Sequence, residues 1–202
     1  MSSLAQSRYT PDHYLALERQ AKHRSEYING SIFAMVGASR QHNLIAGNVF
    51  GELRTQLRGR PCEAYINDMR VKVSVTGLYT YPDVAALCGE PYFEDARMDT
   101  LLNPNVIVEV LSDSTEAYDR GEKFAHYRRL ESLRDYVLIA QNKVRVEHYV
   151  RQGDQWVLSE ASDLASTVLL SSIGCEVGLR DIYERVEFAS NEAGTPSRGG
   201  AA

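Results

Sequence analysis

The sequence is poor in cysteine and has no long apolar run. Its three cysteines, Cys62, Cys88 and Cys175, are scattered and never stand at a CxxC spacing. This odd number argues against a disulfide framework or a zinc knuckle, so we predict three reduced thiols, mostly packed in the interior. No segment approaches the roughly 20 apolar residues needed to cross a bilayer, and the N-terminus has no apolar signal region. The sequence therefore predicts a soluble, cytoplasmic protein.

Positive charge is also scarce, since 22 lysines and arginines face 27 aspartates and glutamates. The formal net charge of −5 argues against a protein held to nucleic acid by bulk positive charge. No glycine-rich phosphate loop, zinc finger or recognition helix is recognisable. With 202 residues, 44 % of them hydrophobic, the chain suits one globular domain with a sizeable core.

Apolar periodicity and turn residues predict several short elements. Thr10-Pro11 is typical of a helix start and predicts a first helix that runs to about Ala21. A second helix is predicted over 41–57. Asn29-Gly30, between two β-prone runs, predicts a hairpin with a two-residue turn. Further strands are predicted at 63–66, 69–75, 83–88, 106–111, 135–140, 144–150 and 155–160, with a helix in the segment 114–133. This order predicts an α/β fold with a central mixed sheet flanked by helices and additional antiparallel hairpins.

Two carboxylates stand in apolar strands where burial is costly. Glu109 lies in "NPNVIVEVLS", and it shares a strand face with Ile107 and Leu111. Asp83 follows Pro82 at the mouth of the run "DVAALC". If the two strands are neighbours, both carboxylates converge at one point, which is the oxygen-rich arrangement that Mg²⁺ or Mn²⁺ prefers. A bound metal ion would then compensate the buried charge.

A lysine follows shortly after the second carboxylate. Asp119, Lys123 and Tyr127 are four residues apart and are predicted to line one helix face. A lysine beside a metal-bound water can orient or help to deprotonate the nucleophile. Spacing alone leaves the alternative open, because lone acids in strands and Asp–Lys pairs on helices also occur as ordinary salt bridges. Asp83 could equally be a turn residue.

Longer stretches resemble a known bacterial family. "YPDVAALCGEP", "NPNVIVEVLSDSTEAYDRGEKFAHYRRLESLRDYVLI", "VRVEHYVRQ" and "SEYINGSIFAMVGASRQHNLIAGNVFGELR" are similar to the Uma-type family of proposed endonucleases, long catalogued as a domain of unknown function. That family belongs to the PD-(D/E)XK nuclease superfamily with the restriction-endonuclease-like fold. The resemblance covers residues 9–188, which we take as one domain, with residues 1–8 and 189–202 as flexible tails.

The resemblance implies a set of metal-binding and catalytic residues. Asp83 and Glu109 match the two metal-binding acids, with the carbonyl of Val110 as a further ligand. The superfamily's lysine should stand two residues after the second acid, but Leu111 occupies that position. Lys123 matches the relatives in which the lysine has moved to the next helix.

Further residues fit the same family pattern. Glu26 matches an acid that lies near the metal site in related nucleases, although it could be an exposed charge at a strand end. His42 matches a family histidine, and a cap or a phosphate contact is its alternative role. Asp119 and Tyr127 are expected beside the catalytic residues. The candidate phosphate contacts are Arg40, Arg54, Arg70, Lys72, Arg120, Arg128 and Arg129. The alternative for most of them is an ordinary solvated charge.

The resemblance therefore implies a Mg²⁺-dependent endonuclease, with Mn²⁺ as a substitute, that hydrolyses phosphodiester bonds in DNA. One alternative is a catalytically weak or silent nucleic-acid-binding protein on the same fold. Another is a structural or oligomerisation module whose carboxylates merely pair with Lys123, and whose stability would not depend on metal. Exposed hairpin edges favour a homodimer.

Overall fold

The computed structural model describes residues 8–35 and 37–188. Residues 1–7 and 189–202, which make up nearly all of the two predicted tails, lie outside the described residues. Along the described chain, no helix is both long enough and apolar enough to cross a membrane.

One long helix and several short ones connect the strands of the described chain. The helices are α1 (Pro11–Glu18), α2 (Arg40–Gln56), α3 (Glu116–Tyr118), α4 (Phe124–Tyr127) and α5 (Leu179–Ile182), and a π-helical turn over Asp119–Lys123 joins α3 to α4. The strands of the first half are β1 (Ser25–Ile28), β2 (Ser31–Ala34), β3 (Cys62–Ile66), β4 (Arg70–Val73), β5 (Leu78–Thr80), β6 (Val84–Cys88) and β7 (Thr100–Leu101). Those of the second half are β8 (Val106–Leu111), β9 (Asp135–Ala140), β10 (Val146–Gln152), β11 (Gln155–Ala161), β12 (Thr167–Leu170) and β13 (Cys175–Gly178).

Most of these strands form two mixed sheets. The main sheet has six strands in the order β11-β10-β9-β8-β6-β3, and its β8–β9 pair is parallel while the other pairs are antiparallel. The second sheet has five strands in the order β2-β1-β5-β4-β7, and β12 and β13 form a separate hairpin. The predicted α/β fold is confirmed. The second sheet was not foreseen, because β5 and β7 have only three and two residues, too few for a periodic pattern.

Apolar side chains cover both faces of the main sheet. Val106, Val108 and Val110 pack in the cluster that includes α2, α5 and the β12–β13 hairpin, while Ile107 and Leu111 pack in the cluster with the second sheet and α4. Burial of each such aliphatic side chain stabilises the fold by about 1.5–3 kcal/mol. Strand β8 is buried along its whole length, as the apolar residues on both of its faces predicted.

Local sequence patterns predicted most helices and strands, but not all of their end points. The hairpin turn at Asn29-Gly30 is confirmed, with φ values of 50° and 85° that this turn requires. Helix α1 ends at Glu18 rather than near Ala21. The Glu18 carboxylate accepts a hydrogen bond of 3.0 Å from the Ser25 amide, which anchors the chain at the start of β1. Helix α2 and strands β8 and β9 agree with the prediction to within one residue.

The prediction of three reduced cysteines is wrong for two of them. Cys62 and Cys88 form a disulfide that joins β3 to β6, whereas Cys175 is a buried free thiol. The antiparallel register puts Cys62 directly opposite Cys88, although 26 residues separate them in sequence. Spacing motifs report only on cysteines that are close along the chain, so they could not reveal a pair created by strand pairing.

Candidate active site

Asp83 and Glu109 are brought together by strand pairing. Strands β6 and β8 are antiparallel with Val84 opposite Val108, so one further step of the register sets Asp83 opposite Glu109. The Oδ2 of Asp83 accepts a hydrogen bond of 2.7 Å from the backbone amide of Val110. This bond fixes the Asp83 carboxylate beside the strand that carries Glu109. The two carboxylates converge as their positions in the sequence suggested.

His42 holds the other oxygen of Asp83. The side chain of Ser39 caps α2 by accepting a hydrogen bond of 3.1 Å from the amide of His42, so His42 stands in the first turn of the helix. From there its Nε2 lies 2.8 Å from the Oδ1 of Asp83. Sequence reasoning selected His42 but assigned it no partner, and the structure supplies Asp83.

Glu109 is almost fully buried, with 5 % of its side chain exposed. Its Oε1 accepts a hydrogen bond of 2.8 Å from the Tyr127 hydroxyl, and the Nζ of Lys123 lies 2.9 Å away. Burial raises the pKa of Glu109 to about 8; the neighbouring charge of Lys123 opposes this shift, and the carboxylate of Asp119 adds to it. Burial likewise raises the pKa of Tyr127 well above its ordinary value, so this phenol remains a hydrogen-bond donor.

Lys123 lies at the centre of three carboxylates. Its Nζ is 2.9 Å from Glu109, 3.3 Å from Glu26 and 3.5 Å from Asp119, and only 6 % of the lysine side chain is exposed. Burial by itself would lower the pKa of Lys123, but Glu109 and the other neighbouring groups hold it well above the ordinary value. The lysine is therefore protonated at neutral pH.

The helix segment that carries Lys123 is not a regular α-helix. Residues Asp119–Lys123 form a π-helical turn between α3 and α4. The backbone carbonyl of Asp119 accepts a hydrogen bond of 2.9 Å from the Tyr136 hydroxyl of β9, which anchors this turn to the main sheet. Such turns are frequent at functional sites. The four-residue spacing predicted the common face of Asp119, Lys123 and Tyr127 but not this backbone geometry.

The second sheet contributes Glu26 from β1. The carboxylate of Glu26 accepts a hydrogen bond from the hydroxyl of Thr80 on β5, and that hydroxyl is 3.5 Å from the Tyr127 hydroxyl. Thr80 thereby connects Glu26 to the partners of Glu109. Sequence reasoning missed Thr80, and the available signal was its position three residues before Asp83 in "TYPD".

Together these residues form an acidic cluster, defined by Glu26, Asp83, Glu109, Asp119 and Lys123. Glu26, Glu109 and Asp119 contact the ammonium group of Lys123. Asp83 is held instead by His42 and the amide of Val110, so the cluster contains four acids and one lysine. Within the described ranges, no group of three or more His, Cys, Asp and Glu side chains is arranged to hold a metal ion. The pair Asp83 and Glu109 is nevertheless chemically suited to Mg²⁺, which is commonly bound by one or two carboxylates with water completing the octahedron.

Three of the candidate phosphate contacts are engaged elsewhere. Arg70 is buried and forms an ion pair with Asp99, Lys72 pairs with Glu94, and Arg120 pairs with Glu116 and Glu147. Sequence reasoning could not foresee Asp99, Glu94 and Glu147 as partners because they come from distant segments, whereas Glu116 lies one helical turn before Arg120. The remaining candidates are exposed, and these are Arg40, Arg54, Arg128 and Arg129.

Comparison with known proteins identifies the family. Residues 11–180 match the model of the Uma2 family, described as "Putative restriction endonuclease". The chain belongs to this family. Two curated relatives come from Synechocystis sp. PCC 6803, the uncharacterized proteins sll1609 and slr1290. The first is 40 % identical over 75 % of this chain and 86 % of that protein. The second is 34 % identical over 89 % of this chain and 93 % of that protein.

A solved structure agrees with the fold of this Uma2 family member. It is described as "a putative nuclease belonging to DUF820 from Anabaena variabilis ATCC 29413". The TM-score is 0.72, and the match covers 87 % of this chain and 97 % of that chain. At 18 % sequence identity, this likeness bears on the fold alone. The membership of the Uma2 family is what supports a nuclease role.

Proposed function

We propose that this protein is a Mg²⁺-dependent endonuclease that hydrolyses phosphodiester bonds in DNA. The observation that carries the proposal is the convergence of Asp83 and Glu109 from neighbouring strands, with the Nζ of Lys123 2.9 Å from Glu109. Two carboxylates and a lysine are the groups needed to hold a divalent cation and to position a nucleophile. Membership of the Uma2 family supports the same conclusion.

Asp83 and Glu109 would hold the metal ion, and we assign the carbonyl of Val110 as a further ligand. When bound, Mg²⁺ supplies charge neutralisation at the phosphate and lowers the pKa of a coordinated water. His42 orients the Asp83 carboxylate through its 2.8 Å contact. Tyr127 orients Glu109 by donating a hydrogen bond to it. These two residues act through the metal-binding carboxylates rather than on the substrate.

Lys123 positions the attacking water or a phosphate oxygen. Because its pKa is well above the ordinary value, it acts as a charged hydrogen-bond donor and not as the base that removes a proton. Glu26 and Asp119 hold the ammonium in place through contacts of 3.3 Å and 3.5 Å. In-line attack of water then breaks one P–O bond, and the products are a phosphate monoester end and a hydroxyl end.

The test is a cleavage assay on supercoiled, linear duplex and single-stranded DNA and on RNA, with Mg²⁺, Mn²⁺ or EDTA. We expect cleavage of DNA only with a divalent cation, and activity at the EDTA level in Asp83→Asn and Glu109→Gln. Glu122→Gln is the matched control, because Glu122 is an exposed acid of the same π-helical turn and should leave activity unchanged. Metal-independent cleavage, or full activity in both substituted proteins, would refute the proposal. Tight DNA binding without any cleavage would support a silent nucleic-acid-binding protein instead.

A further inference from the structure

Strand β11 is a long open edge of the main sheet. It is the terminal strand in the order β11-β10-β9-β8-β6-β3 and has seven residues, whereas β3 at the opposite edge has five. Natural proteins usually blunt such edges with proline, lysine or a β-bulge. The sequence "QWVLSEA" contains neither proline nor lysine, and its seven residues pair with β10 one to one without a bulge. The open edge of β11 can therefore pair with another strand.

Both faces of β11 expose an apolar side chain. Val157 is 43 % exposed and the next residue, Leu158, is 50 % exposed. Successive side chains of a strand point to opposite faces of the sheet. In the described part of the chain, neither face is thus fully covered at the centre of this strand. An apolar, uncharged centre on an open edge is a feature of strands that pair with a partner strand.

The register shows which backbone groups point outward. Gly153 and Asp154 form a two-residue turn with Gln152 opposite Gln155. The pair that flanks such a turn is hydrogen-bonded, and hydrogen-bonded pairs alternate along the strands. Gln155, Val157, Ser159 and Ala161 accordingly direct their amides and carbonyls toward β10. Trp156, Leu158 and Glu160 direct theirs to the open side.

We propose that β11 pairs with β11 of a second copy of this chain in an antiparallel arrangement about a two-fold axis at Leu158. Leu158 then pairs with Leu158 of the partner subunit, and Trp156 pairs with Glu160 of the partner subunit. These are the residues with outward backbone groups, so each pair can exchange both hydrogen bonds. The result is one continuous sheet across the dimer. This inference does not depend on the proposed nuclease function.

The side chains of β11 favour a second copy over an unrelated strand. Two-fold pairing sets leucine against leucine at the centre and brings no two like charges directly opposite each other. Glu160 is the only charged residue of the strand. The guanidinium of Arg151 lies 4.8 Å from the centre of the Trp156 ring, so the row across the interface reads Arg151, Trp156 and then Glu160 of the partner subunit. Trp156 therefore lies between the positive charge of Arg151 and the negative charge of Glu160 of the partner subunit. Within the chain, Glu160 also pairs with Arg145 at 2.8 Å.

Two substitutions at one position test the interface. Leu158→Pro removes an amide that the chain itself does not use, and Leu158→Lys brings two ammonium groups together at the two-fold axis. Sedimentation equilibrium at micromolar concentrations should find a dimer for the wild type and a dimer dissociation constant raised at least about a hundredfold in both variants. Leu169→Lys is the control, since Leu169 is 60 % exposed on β12 and lies outside this edge. It should dimerise like the wild type.

Hydrogen exchange gives a second measurement that does not require a substitution. The amides of Trp156, Leu158 and Glu160 should be protected at concentrations where the dimer forms and should exchange faster on dilution. The circular dichroism of Leu158→Lys should match that of the wild type, and its melting temperature should match that of the wild type at concentrations low enough to dissociate the dimer, which excludes misfolding as the cause of dissociation. A wild-type monomer at all these concentrations, or a dimer that survives Leu158→Lys with unprotected edge amides, would overturn the proposal.

Discussion

Two ion clusters, one at the candidate cation site and one beside α1, differ in how their charges are balanced. The acidic cluster has four acids, of which three contact Lys123 and the fourth, Asp83, pairs with His42. The second cluster, which we call the arginine cluster, consists of Glu18, Arg19, Arg70, Asp95 and Asp99. Its two arginines form ion pairs with its two aspartates at 2.7–3.1 Å.

The remaining acid of the arginine cluster has its partners within the chain. One oxygen of Glu18 accepts hydrogen bonds of 3.0 Å from the Ser25 amide and from the Tyr81 hydroxyl. Its other oxygen accepts from the Ser25 hydroxyl. The arginine cluster therefore joins α1 to the second sheet with its charges satisfied. The excess negative charge of the acidic cluster, in contrast, suits the binding of an external cation.

The largest effect should come from removing one buried cation from each cluster. Lys123→Met leaves buried carboxylates uncompensated and should destabilise the fold by about 3–5 kcal/mol. Arg70→Met should also destabilise it, because it removes a buried guanidinium that donates to Thr100 and Tyr81. Added Mn²⁺ should recover part of the lost stability in Lys123→Met, because it can bind the carboxylates that have lost their counter-charge. It should recover none in Arg70→Met. Thermal melts with EDTA and with Mn²⁺ measure both quantities.

The comparison between these two variants contains its own control. Each loses a buried cation, so a nonspecific effect of Mn²⁺ on damaged proteins would appear in both. Equal recovery in Lys123→Met and Arg70→Met, or none in either, would contradict the distinction between an unbalanced and a balanced cluster.

A smaller effect of opposite sign is expected from neutralising one acid in each cluster. Glu109→Gln removes a carboxyl group whose charged form is disfavoured by burial, and should stabilise the metal-free protein at neutral pH by about 1 kcal/mol, a rise in melting temperature of roughly 2–4 °C. Glu18→Gln should destabilise it, because the charge-assisted hydrogen bonds from Ser25 and Tyr81 weaken. Urea unfolding in EDTA gives both values. The account fails here if Glu109→Gln is the more destabilising of the two.

The smallest effect concerns acid stability. The hydrogen bond from Arg19 holds the pKa of Asp99 well below its ordinary value, against the effect of burial. A depressed carboxyl pKa contributes stability above the unfolded pKa of about 3.9, and this is lost as the pH falls through the lower folded pKa. Because the Asp99 side chain is 37 % exposed, solvent screening limits the effect to about 0.5–1 kcal/mol.

Asp99→Asn should accordingly be less stable than the wild type at neutral pH, and the difference should shrink as the pH falls below about 4. Unfolding by urea at neutral pH and at successively lower pH measures it. A difference that stays constant or grows under acid would contradict the role assigned to the Arg19–Asp99 pair.

Sequence patterns predicted the parts of the molecule that depend on local chemistry. The alternation in "VIVEVL" located β8 and the face of Glu109, and Asn29-Gly30 located the first hairpin, because side-chain periodicity and turn conformation are set by neighbouring residues. Asp83 could be linked to Glu109 only on the assumption that their strands are neighbours. The pairing of β6 with β8 supports that assumption.

The remaining features depend on contacts between distant segments. The Cys62–Cys88 disulfide, the short strand that carries Thr80 and the ion pair that engages Arg70 all arise from strand pairing. No local pattern marks them, because each partner alone looks like an ordinary thiol, hydroxyl or surface charge. The sequence also gives no sign of the π-helical turn before α4, because the residues of this turn follow a regular α-helical spacing.

The central claim is that Asp83 and Glu109 form a divalent-cation site, and calorimetric titration with Mn²⁺ tests it most directly. The experiment compares the wild type with Asp83→Ala and Glu109→Ala, with Glu122→Gln as the control for an exposed acid of the π-helical turn. We predict saturable binding in the wild type and in the control, and its loss in both alanine variants. The absence of binding in the wild type, or unchanged binding in the two alanine variants, would contradict the account.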